Sequence, residues 1–222
     1  MEKFVAYDVD MTAETRITLS RERVIEAAVA FADEHGVEGM SMRKLGGELG
    51  VEAMSLYNHV EDKGDLMDAM IDHVFTTIPL PSGHLDWKDQ IRLIGQGAMD
   101  RFGKHPWVVT LLMQRGNFGD GALEFMNHVV GIFFEAGFEE EDVHHAWQML
   151  ASHTMGYAFQ SSTGPSVQEK EYSELQERMP VLIERFPYVA RLAPLLMECA
   201  WDSEYMFGLE IVIDGLESRL SR

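Results

Sequence analysis

The stretch from Ser41 to Lys63 restricts what this chain can fold into more than any other part of it, because it has the pattern of two short helices joined by a tight turn. Ser41 can cap the first helix, and Leu45 and Leu49 lie four residues apart on one helical face, where both can pack inward. Gly50 stands where a helix C-cap favours the left-handed conformation. The pattern predicts a helix-turn-helix, whose second helix enters the major groove of DNA.

The second short helix is predicted to bury Leu56 and Val60 and to leave its other side chains mostly outside. The guanidinium of Arg43 can bind guanine through two hydrogen bonds, and a surface ion pair with Glu48 or Glu52 is the alternative. Hydroxyl side chains in the motif suit phosphate oxygens. The candidate DNA contacts of the motif and its flanks are Ser41, Met42, Arg43, Ala53, Met54, Ser55, Tyr57, Asn58, His59 and Lys63.

This segment resembles the DNA-binding domain of the tetracycline-repressor-like (TetR) family of transcriptional regulators. The resemblance needs no gap from Leu19 to about Leu66, and it implies that the residues just named face an operator. At Ala53, Met54 and Asn58 the chain departs from the family's tetracycline-responsive members, so no operator sequence is implied. The matching features are Arg43-Lys44-Leu45, Leu49-Gly50-Val51, Ser55-Leu56-Tyr57-x-His59-Val60 and Lys63, after a helix that ends near His35-Gly36.

Charge is the main physical objection to a DNA-binding function. The formal net charge is −19, and residues 20–63 themselves contain five basic and nine acidic side chains. This balance predicts weak non-specific binding and reliance on specific contacts. The alternative is a helical small-molecule-binding protein in which DNA binding is weak or lost.

The chain divides into three predicted regions: an N-terminal arm over 1–19, a helix-turn-helix domain over 20–78 and a second helical domain over 86–222. The Pro- and Gly-containing stretch 79–83 separates the two domains. We predict an all-α fold with an N-terminal three-helix helix-turn-helix DNA-binding domain and a C-terminal helical ligand-binding and dimerisation domain. The predicted helices are 20–35, 62–78, 86–104, 106–114, 122–136, 142–160 and 203–220, with Pro180, Pro187 and Pro194 cutting the region before the last one into short pieces.

Two predicted helices of the second domain, 142–160 and 203–220, are apolar on more than one face. One face of each can pack in the core, and another can contact a partner subunit. A two-fold dimer would also place two recognition helices about one DNA turn (~34 Å) apart. A single large monomeric core is the alternative. The predicted interface consists of Trp147, Leu150, Thr154, Leu209, Val212, Ile213 and Leu216.

Methionine and aromatic residues crowd the second domain. Each of them can be an ordinary core residue, but together they suit a pocket for a bulky apolar effector. The predicted ligand-binding residues are Phe102, Trp107, Met113, Gln114, Phe125, Met126, His128, Met149, His153 and Tyr157.

Metal, cofactor and enzyme functions find no support in the sequence. His144 and His145 are adjacent and point to different helix faces, and no ligand spacing typical of a metal site occurs. Family members that bind a drug as its magnesium chelate have a histidine in the region that is Trp107–Asn117 here, and this region has none. No nucleophile, phosphate-loop or dinucleotide motif is present. A single cysteine, the lack of an apolar run long enough to span a bilayer and the lack of a secretory signal favour a cytoplasmic protein.

Overall fold

The structure, a computed structural model, describes residues 18–81, 85–116, 119–162, 173–174, 176–197 and 201–220. These residues form α-helices and one short 3-10 turn at Val37–Gly39, and no strand occurs among them. The predicted all-α fold is therefore confirmed. None of the described helices is both long and apolar enough to cross a membrane. The helices are α1 Arg21–His35, α2 Met42–Leu49, α3 Ala53–Leu56, α4 Lys63–Thr76, α5 Trp87–Lys104, α6 Trp107–Arg115, α7 Asp120–Glu135, α8 Glu140–Ser161, α9 Met179–Arg185, α10 Pro187–Met197 and α11 Trp201–Leu220.

Side-chain caps fix where the N-terminal helices begin. The Oγ of Ser20 accepts a hydrogen bond from the Arg23 amide, and the Oγ of Ser41 accepts one from the Lys44 amide, each at 3.3 Å. Gly50 ends α2 in the left-handed conformation, with φ 66° and ψ 30°. These caps and the glycine lie where the residue types predict them.

One proline does not do what its residue type predicts. Pro194 lies inside α10, so it does not divide the region as expected. Pro180 is in the first turn of α9 and Pro187 opens α10, both positions that tolerate a missing amide proton. The predicted arm up to residue 17 and residues 82–83 of the linker lie outside the described residues. The same holds for residues 163–166, which belong to the stretch 161–166 that the sequence predicts to be a loop.

The N-terminal domain packs α1, α2 and α3 around one end of α4. Its core includes Val24, Ala28, Leu45, Leu56 and Leu66, each with no exposed surface. α4 then continues out of this core and packs against α6 and α7 of the second domain. A single helix therefore belongs to both domains.

The second domain packs α5, α7, α8 and α11 around a common core. α8 and α11 approach closely at Gly208, where a Cβ atom would lie 2.2 Å from Cε1 of His153. The ring of His153 stacks on Tyr205, and its Nε2 lies 2.9 Å from the Tyr205 carbonyl oxygen. Because a carbonyl oxygen only accepts, this nitrogen carries the proton.

Three carboxylates of the N-terminal domain hold the two domains together. Asp33 accepts hydrogen bonds from Nδ1 of His105 at 2.8 Å and from the Trp107 indole N–H at 2.7 Å. Asp68 on α4 forms an ion pair with Arg115 at the end of α6. Asp72, one turn further along α4, accepts hydrogen bonds from the first turn of α7.

The carboxylate of Asp72 caps the N-terminus of α7. It accepts hydrogen bonds from the amides of Gly121 and Ala122 at 3.0 and 2.9 Å. A helix N-terminus has unpaired amide protons and a partial positive charge, so a carboxylate there is favourable. The same contact joins α4 directly to a helix of the second domain.

Arg21 and Asp65 tie α1 to α4 and give a prediction for the pH dependence of stability. The guanidinium donates two hydrogen bonds to the carboxylate, at 2.7 and 2.9 Å, and this pairing holds the pKa of Asp65 below its usual value. A lowered pKa in the folded state stabilises the fold above the ordinary carboxylate pKa, and the contribution is lost as pH falls through the folded value.

We expect Asp65→Asn to lower the free energy of unfolding by about 0.5–1 kcal/mol at pH 7, because both partners of the pair are partly exposed. The difference from the unsubstituted protein should shrink below about pH 4, where the aspartate itself becomes protonated. Urea unfolding of both proteins at intervals from pH 7 to pH 3 measures it. A difference that stayed constant over this range would contradict the assignment.

Candidate DNA-binding surface and ligand cavity

α2 and α3 cross at very close range. A Cβ atom on Gly46 would lie 2.8 Å from the carbonyl oxygen of Val51 and 3.2 Å from the amide nitrogen of Ala53. Only a glycine allows this approach. The contact sets the orientation of α3, with Leu56 buried and the opposite side facing solvent.

Half of the ten predicted DNA contacts are exposed on the surface of the motif. Met54 is 74% exposed, and Tyr57 is also exposed. Ser41, Arg43 and Asn58 are exposed as well. The partly buried members of the set are Ala53, Ser55, His59 and Lys63.

Met42 is a correction to the predicted set. Its side chain is only 8% exposed and belongs to the hydrophobic core. It is the first residue of α2, so it turns inward while its neighbours Ser41 and Arg43 face solvent. A side-chain contact between Met42 and DNA is therefore excluded in this conformation.

The lysines of the motif gather at the turn that precedes α2. Nζ of Lys44 donates to the Gly39 carbonyl oxygen at 2.7 Å, and Nζ of Lys63 donates to the Met40 carbonyl oxygen at 2.8 Å. Together with Arg43 they place positive charge beside the N-terminus of α2.

A cavity of about 310 Å³ lies inside the second domain. Residues of α4, α5, α6, α7, α8 and α11 form its walls, so the cavity lies in the middle of the helical core. Phe75, near the end of α4, is part of the wall. The other described lining residues are Ile91, Ile94, Gly95, Ala98, Phe102, Leu112, Ala122, Phe125, Met126, Val129, Trp147, Gln148, Leu150, Ala151, Ser152, Thr154, Met155 and Tyr205.

Tyr205 and Thr154 form a polar corner in this mostly apolar cavity. The Tyr205 hydroxyl lies 3.0 Å from Oγ1 of Thr154. A Cβ atom on Gly95 would come within 2.6 Å of that hydroxyl, so the glycine makes room for it. Burial raises the pKa of the Tyr205 phenol, which therefore stays protonated and can donate a hydrogen bond.

The structure divides the predicted ligand-binding residues. Phe102, Phe125 and Met126 line the cavity. The remaining seven are not among its described lining residues: Trp107, Met113, Gln114, His128, Met149, His153 and Tyr157. Trp107 instead bonds to Asp33, and His153 packs between α8 and α11. Sequence reasoning missed the aliphatic wall and Tyr205, whose only signal was a place on the buried stripe of a helix.

The predicted dimer interface is not on the surface of the protomer. Trp147, Leu150 and Thr154 line the cavity, and the predicted residues of α11 pack into the core of their own protomer: Leu209, Ile213 and Leu216 are buried and Val212 is partly buried. The opposite faces of the same two helices expose Met149 and Phe159 on α8 and Phe207 and Ile211 on α11. Within the described residues, no group of three or more His, Cys, Asp or Glu side chains could hold a metal ion.

Comparison with known proteins assigns the family. The sequence profile described as "Tetracyclin repressor-like, C-terminal domain" matches residues 79–220 of this chain. The chain belongs to the TetR family. It is also 30% identical over 211 residues to the HTH-type transcriptional repressor DrrR1 of Streptomyces coeruleorubidus, a match that covers 90% of this chain and 78% of that protein.

Other TetR-family proteins match over almost the whole chain. The class D tetracycline repressor of Escherichia coli is 26% identical over 218 residues, which is 91% of each protein. The crystal structure of ActR from Streptomyces coelicolor in complex with actinorhodin superposes with a TM-score of 0.81 and 24% identity, and covers 91% of this chain and 97% of that one. The protein is thus a TetR-family transcriptional regulator with a helix-turn-helix at its N-terminus.

Proposed function

We propose that this regulator is a cytoplasmic homodimeric repressor that binds a palindromic operator and is released from it by a small hydrophobic effector. The observation that carries the proposal is the course of α4. Lys63, at one end of this helix, bonds to the turn before α2, and Phe75, at the other end, lines the cavity. The helix joins the DNA-binding surface to the ligand cavity over about 20 Å.

The contacts of α4 supply a route by which cavity occupancy would reach DNA. Phe75 packs against Phe102 and Phe125, both of which also line the cavity. Asp68 and Asp72 fix the same helix to α6 and to the N-terminus of α7. An effector that moves the aromatic wall therefore pushes on α4, and a dimer whose recognition helices shift apart fits its half-sites less well.

The proposed dimer forms through the exposed apolar faces of α8 and α11. Met149, Phe159, Phe207 and Ile211 are exposed in the protomer although they are large and apolar. A two-fold interface uses the same patch on both subunits, so these faces would cover each other. The arrangement supports our division of the chain into a DNA-binding domain over 20–78 and an effector and dimerisation domain over 86–222.

In the DNA complex, Arg43, Met54, Tyr57 and Asn58 are the proposed main contacts. In this proposal the exposed Arg43 would bind a guanine or a phosphate, and the exposed Met54 would contact a thymine methyl group. The names of relatives agree with this function, since DrrR1 is called a transcriptional repressor and ActR is seen with actinorhodin. Neither name identifies the operator or effector of the present chain.

Selection of bound sites from random DNA at ~0.15 M salt tests the proposal, because weak non-specific binding is suppressed there. We expect an enriched palindrome. Arg43→Ala should weaken binding to it by about 10- to 100-fold, the value of one bidentate base contact. Tyr57→Phe should weaken it by up to about tenfold, the value of one hydrogen bond.

Arg191→Ala is the matched control, because it removes an exposed guanidinium of α10, outside the motif. Its affinity for the selected site should be unchanged. If no sequence were enriched, with or without candidate effectors, we would conclude that the acidic charge prevents specific DNA binding. The protein would then be a helical small-molecule-binding protein that has lost DNA binding.

A further inference from the structure

The walls of the cavity lack charge. Among the lining residues that the structure describes, none has an ionisable acidic or basic side chain apart from the phenol of Tyr205. The other polar groups are the uncharged side chains of Gln148, Ser152 and Thr154 and the indole N–H of Trp147. An ion that enters such a site loses its hydration without gaining a partner of opposite charge.

Aromatic rings supply much of the remaining wall. Phe75 lies edge to face with Phe102 at 5.8 Å between ring centroids and tilted against Phe125 at 5.4 Å. Trp147 and Met126 belong to the same wall. Flat rings and a polarisable thioether favour contact with another ring system.

We propose that the effector is an uncharged aromatic molecule that enters without a metal ion and bears a hydroxyl or carbonyl group, which binds to Tyr205 and Thr154. This inference rests on the proposed function, in which the cavity receives the effector. A metal chelate would bring a cation for which the described walls offer no carboxylate or imidazole ligand.

The polar corner has hydrogen-bonding capacity to spare. The two hydroxyls have two protons, and the bond between Tyr205 and Thr154 uses one of them. The second proton and the remaining lone pairs can bind a ligand group. Because Gly95 leaves room beside the phenol, the hydroxyl keeps its place without strain.

The net charge of −19 favours a different ligand charge from the one that the cavity walls favour. If the overall field of the protein decided ligand choice, a cation would bind best and an anion worst. If the walls decide it, a neutral molecule binds better than either ion. Three probes with one shared ring skeleton separate these orders.

The probes are N-phenyl-1-naphthylamine, its sulfonate 8-anilinonaphthalene-1-sulfonate, and the analogue with a trimethylammonium group in place of the sulfonate. We expect the neutral amine to bind at least about tenfold more tightly than either ion, measured by fluorescence titration of the full chain at ~0.15 M salt. Equal or tighter binding of an ion in the cavity would overturn the inference.

A cavity-filling variant shows whether the signal comes from the cavity. Ala151→Trp adds a ring to the α8 wall and should abolish binding of the neutral amine. His144→Trp adds the same ring to an exposed position of α8 and should leave binding unchanged. Binding of the neutral amine that survives Ala151→Trp would also overturn the inference, since the probe would then lie elsewhere.

The polar anchor has its own readout. The neutral carbonyl probe 6-propionyl-2-dimethylaminonaphthalene emits at longer wavelength when its carbonyl accepts a hydrogen bond. Tyr205→Phe and Thr154→Val should each weaken its binding by about 3- to 10-fold and shift its emission to the blue, with little change for N-phenyl-1-naphthylamine. Unchanged affinity and emission in both variants would remove Tyr205 and Thr154 from the inference.

DNA binding is measured separately, so the two proposals can fail independently. If the protein binds the neutral probe in its cavity but selects no DNA site, the proposed function is wrong and the proposed ligand class still holds. If it binds an operator but prefers the anionic probe, the reverse is true.

Discussion

Replacing Gly46 by alanine is expected to destabilise the N-terminal domain by about 2–3 kcal/mol and to reduce operator binding by more than about tenfold. The new methyl carbon would lie 2.8 Å from the carbonyl oxygen of Val51 and 3.2 Å from the Ala53 amide nitrogen. Both are backbone atoms, so they cannot yield by a side-chain rotation. α3 must move away from α2, and the recognition surface moves with it. Chemical denaturation and operator titration measure the two effects.

The adjacent glycine is a matched control for this prediction. A Cβ atom on Gly47 would meet no atom within 4 Å, and the residue lies in the same helix. Gly47→Ala should therefore stabilise the protein by up to about 1 kcal/mol, the difference in helix propensity between glycine and alanine. If the two substitutions had equal effects on stability, the close crossing of α2 and α3 would not be what Gly46 provides.

Replacing Ile211 by aspartate is expected to convert the proposed dimer to monomers. Ile211 is 57% exposed in the protomer. Phe207, next to it on the outer face of α11, is 71% exposed. In a two-fold interface the substitution occurs twice and buries two carboxylates. We expect the dimer dissociation constant to rise by about 100- to 1000-fold. Sedimentation velocity measures the change, and affinity for the palindromic site should fall with it.

Leu93→Asp is the corresponding control on α5. Leu93 is 48% exposed, so the change in surface chemistry is similar, but it does not lie on α8 or α11. This variant should remain dimeric. Dissociation caused equally by both substitutions, or by neither, would show that the outer faces of α8 and α11 are not the interface.

The helix-turn-helix could be predicted from sequence because its information is local. Ser41, Leu45 and Gly50 act within about ten residues of one another, and Ser41 and Gly50 have residue types preferred at the two ends of a helix. A cap, a buried leucine and a left-handed glycine then specify the same turn. Met42 was wrongly predicted to contact DNA, although it lies three residues before Leu45 and seven before Leu49, which is the helical spacing of one buried face.

The cavity and the interface were harder to predict because periodicity finds apolar faces without telling which neighbour covers them. Two faces of α8 have apolar residues. The prediction gave the face that lines the cavity to the dimer interface, and the other face to the cavity. Trp147 and Thr154 line the cavity, whereas Met149 faces solvent in the protomer. The choice depends on α5 and α11, which lie far from α8 in the sequence.

Contacts between the domains were beyond sequence reasoning for the same physical reason. Asp33 meets Trp107 across 74 residues, and Asp72 meets the amide of Ala122 across 50. Each aspartate lies on a helix rich in other polar residues, so nothing local distinguishes it from a solvated surface carboxylate. Only the packing of α1 and α4 against the second domain gives these side chains their roles.

The placing of two tryptophans gives this regulator built-in optical probes for two different events. Trp147 is part of the cavity wall, so its emission responds to ring contacts made by a bound molecule. The indole N–H of Trp107 is bonded to Asp33 between the domains, so its emission responds to a change in their alignment. Variants in which Trp147 or Trp107 is the only one of the chain's four tryptophans would time cavity filling and domain movement separately, without any attached dye.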